Sequence, residues 1–475
     1  MKKFALLTMI LSLAALSCSK AEKENPAKDG VISFETVSAN TRTVLSGTSV
    51  NWLATDAIKV FNAEGASAEF TTAAEKISGK STVFSGTLAS SSRYYALFPY
   101  SADATIDEGK ITTVVPYTVH AQTDGSFDAT SNVAVATTTG YDLAFQNVLS
   151  FIKVDLSGEA NVTEVVIRSM DATKYLSGKV EITVADPPTV SVVDGIPFVK
   201  LVPAAGDDVI ASGVYYVPVI PSTLSSGVSV RVKKAGYMYV KESANVLTAT
   251  RNTPVALPAI DISGYEDYKE MVVVDGNGGF GASGVRYREY GSNFSATDSN
   301  LPNLGDNDKS TKWLLPGDAI KAGNGGAAAY YPDGTETKRG PYLRLDFNNS
   351  SRSNSPLNKA EAVIFEYDAY GDSRYDPVVL RVQEYNAGSA GDKYGVLKEL
   401  TLATDALPAQ ETYKDCYVSD RLVRVYRTDR PFFGLILCGT RTATCDDLIT
   451  SFSSTNKWGL SNLRVWIHEN ASLAY

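Results

Sequence analysis

Residues 228–240 read VSVRVKKAGYMYV, and this stretch determines the fold class. From residue 228 to residue 233, apolar side chains alternate with polar ones, which is the period of a β-strand that buries one face. Residues 234–236 supply a turn, and residues 237–240 supply a returning strand. The stretch therefore predicts an antiparallel β-hairpin.

The same alternation recurs along residues 31–262. Ile152, Val154 and Leu156, for example, alternate with two charged residues. A composition with 36 Gly and 26 Tyr beside 5 Met also favours a β-rich extracellular protein over a helical one. We expect an all-β chain in which residues 31–262 form one antiparallel β-sandwich, or two that divide near residues 156–160.

Four sequence blocks in this region resemble the fimbrillin-like family, whose members are β-sandwich lipoproteins related to type V pilins. The first block runs from Arg42 to Trp52 and Phe61. The later blocks are YYALFPY at 94–100, FQNVLSF at 145–151 and YYVPVIP at 215–221. The resemblance implies a sandwich fold for residues 31–262. It also implies that a protease cut after Arg42 would free a groove for a partner's donor strand.

A second region begins after residue 262. It contains seven short apolar runs separated by long polar segments, which is the pattern of a β jelly roll. The turn-rich stretch NLGDNDKSTKW at 303–313 resembles the Asp-x-Asp-x-x-Thr-x-Trp signature of the discoidin, or coagulation-factor C-type, family. The PYLRLDF run at 341–347 resembles that family's next strand. We expect residues 263–475 to form a discoidin-like jelly-roll binding domain.

The discoidin resemblance implies a structural calcium site. In that family the ligands are backbone carbonyls, aspartates, a threonine and a late glutamate, which here would be Asp306, Asp308, Thr311 and Glu469. Carboxylate, hydroxyl and carbonyl oxygens are the ligands that Ca²⁺ prefers. The alternative is a metal-free turn, in which the same side chains bond to their own backbone.

Residues 1–17 have the features of a secretory signal peptide, with a lysine pair, an apolar run and a serine before Cys18. They resemble a bacterial lipoprotein signal, which implies that Cys18 becomes an acylated N-terminus; cleavage without lipid attachment is the alternative. Residues 18–30 are mostly polar, and we expect a flexible tether. This charged tether resembles a surface-export signal. We therefore expect a lipoprotein exposed on the outer membrane, with the periplasmic face as the alternative.

Charge and cysteine count limit the partners and the redox chemistry. A formal net charge of −9 disfavours nucleic acid as a partner. Besides Cys18, the chain has Cys416, Cys438 and Cys445, an odd number that allows one disulfide at most. A disulfide between Cys438 and Cys445 would close a short loop. Three buried, reduced thiols are an equal alternative.

Catalysis and ligand binding leave weaker signals than the fold. His120 and His468 are the only histidines in the sequence, which disfavours histidine-based triads and clustered metal hydrolases. A carboxylate pair remains open, because 53 acidic residues allow many pairs. For a sugar-binding face we name Tyr331, Tyr370 and Arg374 in loops of the second region.

Together these features predict a lipid-anchored, non-catalytic surface protein that binds a glycan or another ligand on a host or partner cell. One alternative is a type V pilus subunit or tip adhesin, which assembles with other pilus subunits by donor-strand exchange. A second alternative is an accessory enzyme that degrades glycans through a carboxylate pair.

Overall fold

The computed structural model of the chain describes residues 31–36, 52–78, 81–171 and 173–271, and it continues with the strands between residues 285 and 469. After residue 270, side chains are described at residues 361–364, 366, 464 and 466–469. The described elements are β-strands and three short 3-10 turns. The all-β fold expected from the sequence is confirmed.

The strands are numbered β1 to β34 in chain order. The first group consists of β1 (Val31–Thr36), β2 (Ala57–Asn62), β3 (Ser67–Thr71), β4 (Val83–Thr87), β5 (Tyr94–Phe98), β6 (Thr105–Asp107), β7 (Lys110–Val115), β8 (Thr118–His120), β9 (Ala134–Thr138), β10 (Asp142–Leu143), β11 (Gln146–Asn147) and β12 (Ser150–Asp155). The second group consists of β13 (Val162–Ser169), β14 (Ser177–Thr183), β15 (Thr189–Ile196), β16 (Phe198–Val202), β17 (Val214–Val219), β18 (Ser222–Leu224), β19 (Val228–Lys234), β20 (Tyr237–Ser243), β21 (Leu247–Ala249), β22 (Pro254–Ala256) and β23 (Glu266–Met271). The third group consists of β24 (Val285–Tyr290), β25 (Ala319–Ala322), β26 (Ala327–Tyr330), β27 (Glu336–Arg339), β28 (Tyr342–Phe347), β29 (Ala360–Gly371), β30 (Val379–Tyr385), β31 (Tyr394–Thr401), β32 (Tyr417–Tyr426), β33 (Gly434–Thr440) and β34 (Trp458–Glu469).

The first sandwich packs an eight-stranded sheet against a four-stranded sheet. The larger sheet has the order β10-β1-β4-β3-β2-β5-β9-β11, and the smaller has the order β15-β14-β7-β6. Phe61 and Leu97 on the larger sheet share a core with Ile111, Val180 and Ile182 on the smaller one. Burial of these apolar side chains stabilises the contact between the two layers.

A second core on the opposite face of the eight-stranded sheet surrounds Trp52. Its indole meets the rings of Phe84, Phe98 and Phe145 edge-on, with centroid separations of 4.9, 5.4 and 5.6 Å. Edge-to-face contacts of this kind stabilise a core beyond their buried area. Trp52, Phe98 and Phe145 belong to three of the fimbrillin-like blocks, so these block residues form part of the core.

The second sandwich packs the three-stranded sheet β17-β12-β22 against part of a ten-stranded sheet. Ile152 and Val154 of β12 share its core with Val165 and Ile167 of β13. The chain interleaves the two sandwiches, because β14 lies after residues 156–160 and yet pairs with β7 of the first sandwich. The division expected near residues 156–160 stays a prediction.

The hairpin predicted from residues 228–240 is confirmed. β19 and β20 pair antiparallel, with Lys234 opposite Tyr237 at the closed end. Ala235 and Gly236 form the turn with φ angles of 52° and 79°. Two consecutive residues with positive φ give the turn the twist that suits a two-residue hairpin.

The ten-stranded sheet has the order β32-β29-β34-β23-β20-β19-β13-β16-β8, and β25 also pairs with β34. Hydrogen bonding therefore continues past residue 262, where β23 joins the hairpin to β34. Other C-terminal strands form a five-stranded sheet with the order β24-β28-β33-β30-β31. Six of the seven apolar runs predicted in this region overlap the strands β28, β29, β30, β32, β33 and β34. The domain boundary at residue 262 stays a prediction.

One difference from the sequence pattern lies on β19. Its alternation predicts that Arg231 and Lys233 face solvent, but Arg231 is only 2% exposed and Lys233 is half-buried. The reason is the extension of the sheet beyond the hairpin. Met238 of β20, Tyr268 of β23 and Trp466 of β34 form a buried apolar cluster on the same face as these two cations.

Candidate functional site

Strand β20 presents two tyrosines on the face that its buried side chains do not use. Met238 and Val240 are buried in the apolar cluster, so the intervening Tyr237 and Tyr239 point to the opposite face. Both tyrosines are partly exposed. Their rings are nearly parallel, with centroids 6.0 Å apart and an interplanar angle of 27°. The strand thus offers two partly exposed rings on this face, and the ring of Tyr239 also packs against the core of the second sandwich.

Strand β23 places a donor and an acceptor beside this aromatic surface. In the β20–β23 register, Lys269 lies opposite Tyr237 and Asp267 lies opposite Tyr239. Both charged residues are exposed. An ammonium group can only donate hydrogen bonds and an ionised carboxylate can only accept them, so the two side chains are complementary.

A third tyrosine extends the surface at the start of β23. Tyr265 packs against the core of the second sandwich, and Lys241 Nζ lies 5.2 Å from the centre of its ring. We call Tyr237, Tyr239, Tyr265, Asp267 and Lys269 the tyrosine strip. It follows β20 and the adjoining part of β23, and it combines ring surfaces with charged hydrogen-bonding groups.

Two of the phenol groups in the strip, those of Tyr239 and Tyr265, have raised pKa values and are protonated at neutral pH. Burial raises the pKa of Tyr239, with a smaller opposing effect from the charge of Lys234. Burial also raises the pKa of Tyr265, and the charge of Asp261 raises it further. A protonated phenol can both donate and accept a hydrogen bond. These hydroxyls can therefore bind polar ligand groups of either kind.

Three further contacts fix the strands under the strip. Lys234 Nζ lies 2.7 Å from Glu159 Oε2, and the backbone N–H of Ile262 donates to Glu159 Oε1 at 3.1 Å. On the other side, His468 Nδ1 lies 2.7 Å from the carbonyl oxygen of Asp267. The strip is thus built on strands held from both sides, which favours binding without rearrangement.

This surface suits a ligand that has an apolar face and polar edges. A sugar ring presents aliphatic C–H groups on its faces and hydroxyls on its rim. Binding sites for such ligands combine aromatic surface with a few well-placed polar groups. The tyrosine strip supplies both within a single pair of strands.

Most site residues named from the sequence lie outside the described residues: Cys18, Arg42, Asp306, Asp308, Thr311, Tyr331, Arg374 and Cys445. Tyr370 lies in β29, opposite Tyr417, and Cys438 lies in β33, opposite Tyr342. Their side chains are not among those described. Glu469 is exposed at the end of β34, opposite Ala360. Within the described residues, no group of three or more His, Cys, Asp or Glu side chains could hold a metal ion.

The tyrosine strip was not predicted from the sequence. Its signal was present in part, because the alternation in VSVRVKKAGYMYV places Tyr237 and Tyr239 on one face. Asp267 and Lys269 lie about thirty residues further along the sequence, on a different strand. Only the strand register brings them opposite the tyrosines.

The chain matches no protein-family model and no curated protein sequence. Among solved structures, it is similar to a proposed cell adhesion protein from Bacteroides ovatus, with 16% identity over 50% of this chain and 95% of that one and a TM-score of 0.32. It is also similar to a surface glycan-binding protein from Prevotella bryantii, with 10% identity over 86% of this chain and 90% of that one and a TM-score of 0.21. A third similar structure is the N-terminal CBM22 tandem domain of Xyn10C from Paenibacillus barcinonensis, with 11% identity over 75% of this chain and 91% of that one and a TM-score of 0.20.

Within the described part of the chain, no helix has the length and apolarity needed to cross a bilayer.

Proposed function

We propose that this chain is a lipid-anchored, non-catalytic surface protein that binds a glycan through the tyrosine strip. The observation that carries the proposal is the pair of near-parallel rings of Tyr237 and Tyr239, with Asp267 and Lys269 opposite them. Anchoring through Cys18 and display outside the outer membrane remain part of the proposal, supported by the sequence of residues 1–30. The loop residues Tyr331, Tyr370 and Arg374 stay candidates for a second contact area.

The strip can supply a measurable but modest affinity. A sugar that places its C–H face on an aromatic side chain buries apolar surface, which gains about 25 cal/mol per Å². A hydrogen bond to a charged side chain contributes about 1.5–3 kcal/mol. Association itself costs several kcal/mol of lost freedom, so we expect a weak single site. Many anchored copies on one surface would strengthen attachment to a polysaccharide that repeats its binding unit.

A glycan array probed with the purified chain tests this function. Tyr237→Ala removes a ring that is partly exposed, so we expect normal folding and about tenfold weaker binding, equivalent to about 1.4 kcal/mol. Tyr239→Phe keeps the packing of the ring and removes only its hydroxyl. Tyr100→Ala is the matched control, because Tyr100 is partly exposed but follows β5 in the first sandwich.

The array also separates binding from the other candidate activities. Retention of a glycan without cleavage supports the proposal. Release of shorter sugars, detected by product analysis, would favour the glycan-degrading alternative. Equal binding by wild type and Tyr237→Ala would contradict the assignment to the strip, and binding of no glycan at all would contradict the function.

A specific feature of the first sandwich favours the pilus subunit as a second candidate. Strand β1 buries Ile32 and Phe34 and pairs with β4 on one side and β10 on the other. It ends at Thr36, before Arg42 in the sequence. A cut after Arg42 would separate this strand from the rest of the chain and leave a position that a partner's strand could take.

Limited digestion with a trypsin-like protease tests the second candidate. We expect wild type to be cut after Arg42 and then to form ladders of polymers on a denaturing gel. Arg42→Ala serves as the control that stays uncut and monomeric. Cleavage of wild type without any polymer would remove the pilus interpretation and leave glycan binding unaffected.

A further inference from the structure

The tyrosine strip has no excess of positive charge. Six charged side chains lie on or beside it: Glu159, Lys234, Lys241, Asp261, Asp267 and Lys269. Three are cationic and three are anionic, so these six side chains carry no net formal charge. Two of the cations have anionic neighbours. Lys234 forms an ion pair with Glu159. Hydrogen bonds from Ser263 lower the pKa of Asp261, and the nearby charge of Lys241 has a smaller effect in the same direction.

The end of the strip nearest β34 is acidic. His468 Nδ1 lies 3.4 Å from Asp267 Oδ1, and its Nε2 lies 3.8 Å from Glu361 Oε2. Glu469 follows directly and is exposed. Glu361 and Glu469 therefore add negative charge at this end of the strip. An anionic ligand group placed beside Asp267 would meet like charges, and the ionised carboxylate of Asp267 has no hydrogen to donate to it.

We infer that the tyrosine strip selects neutral glycans, with neighbouring hydroxyls of one sugar bridging Asp267 and Lys269. The inference rests on the proposed function and adds the chemical class of the ligand. Asp267 accepts hydrogen bonds from hydroxyls, and Lys269 donates to them. A pair of adjacent hydroxyls can satisfy both groups, because each hydroxyl donates one bond and accepts others.

The spacing of the two charged residues fits this arrangement. Asp267 and Lys269 are two residues apart on one strand, so their side chains lie on the same face about 7 Å apart at the backbone. Tyr237 and Tyr239 have the same spacing on the neighbouring strand. The hydroxyls on the rim of a sugar that stacks on one tyrosine ring can thus contact a charged side chain on β23. Uronates and sulfated sugars would bring a negative charge to a surface that has no cationic excess to receive it.

Matched pairs of polysaccharides test the inference with the full chain. A suitable pair is fully methyl-esterified polygalacturonan and its de-esterified form, which share a backbone and differ in charge; arabinoxylan and glucuronoxylan form a second pair. We expect the neutral member of a pair to bind at least tenfold more tightly, with an affinity that changes little between low and high salt. Preference for the acidic member, or loss of binding in high salt, would overturn the inference and leave glycan binding intact. If the chain bound neither member and no glycan on the array, that result would instead contradict the proposed function.

Two variants test the roles of the charged residues. Asp267→Asn removes one negative charge. We therefore expect weaker binding of the neutral glycan and a smaller difference in affinity between the neutral and the acidic member of a pair. Lys269→Gln should weaken binding of the neutral glycan about tenfold and increase that difference in affinity. Glu69→Gln and Lys179→Gln are controls on exposed positions of β3 and β14. If Asp267→Asn left the difference in affinity between neutral and acidic members unchanged, the inference would be overturned.

Discussion

Lys233 on β19 forms an ion pair with Glu366 on β29, although 133 residues separate the two in sequence. The same ammonium group lies 2.8 Å from Glu164 Oε1 on β13, and the other oxygen of Glu366 accepts a hydrogen bond from Trp466 Nε1 at 3.1 Å. Burial lowers the pKa of Lys233, but the charges of Glu366 and Glu164 offset this effect and leave it raised. The contacts join β13 and β19 to the C-terminal strands β29 and β34.

Removal of the lysine is expected to be costly. Lys233→Met would leave Glu164 and Glu366 without their cation, and breaking a buried ion pair from one side costs about 3–5 kcal/mol. The exposed pair Lys110 with Glu181 provides the control, because its side chains are 46% and 35% exposed. Lys110→Met should cost much less, because solvent screens an exposed ion pair. Urea denaturation of both variants checks the difference, and equal costs would show that the buried pair adds no special stability.

The ionisation of Glu270 should affect how the stability of the protein depends on pH. Burial raises its pKa above the usual value of 4.5; the charge of Arg464 opposes this effect, and the charge of Glu366 adds to it. A raised folded pKa means that the native state favours the protonated carboxyl, so this contribution is present below pH 4.5 and is lost as pH rises through the folded value. Glu270→Gln, which stays neutral, should gain stability relative to wild type near pH 7 and lose that advantage in acid.

Asp171 provides the opposite case for the same titration. The hydroxyl and the backbone N–H of Thr173 donate to its carboxylate and lower its pKa below 3.8. Its contribution is therefore present above pH 3.8 and is lost as pH falls through the folded value. Asp171→Asn should be less stable than wild type near pH 7 and should match it in strong acid. Chemical denaturation across pH checks both variants, and parallel profiles would contradict the two assignments.

Two glycines with left-handed backbone differ in the space around them. Gly236 has a φ of +79° and no atom within 4 Å of the site where a Cβ would be built. Gly227 has a φ of +84°, and its Cβ would overlap the carbonyl oxygen of Ser243. Gly236→Ala should cost about 1–2 kcal/mol from the backbone conformation alone. Gly227→Ala should cost a further 1–3 kcal/mol, because the backbone must move.

Thermal unfolding of the two glycine variants measures this difference directly. The positions belong to neighbouring turns at the two ends of β19, so the rest of the structure serves as a common reference. Equal melting temperatures would contradict the close approach of β19 to Ser243.

The calcium site remains a prediction from residues 306–311. A ligand that binds the native state stabilises it by mass action, by about 2.7 kcal/mol at a concentration of 100 times Kd. If Asp306, Asp308 and Thr311 hold calcium, millimolar calcium should raise the melting temperature above that measured in chelator. Asp306→Asn combined with Asp308→Asn should abolish the shift. A wild-type melting temperature that chelator leaves unchanged favours the metal-free turn.

Local patterns in the sequence predicted the hairpin and the class of fold. The alternation at residues 228–233 and the turn at residues 234–236 depend on contacts between near neighbours, so one strand pair could be read directly. The apolar run at 342–347 became β28 for the same reason. The face on which Tyr237 and Tyr239 lie also follows from the two-residue period of a strand.

Strand order could not be read in this way. β7 pairs with β14, and β23 lies between β20 and β34, because distant apolar faces were buried together. Register across such pairs places Asp267 and Lys269 beside the tyrosines, and it buries Arg231 and Lys233 where local alternation predicts solvent. By itself, the sequence determined that this protein is built from β-strands and which residues share each strand face. Only the tertiary structure decided which faces meet, since the free energy of burial does not depend on the sequence separation of the residues that are buried.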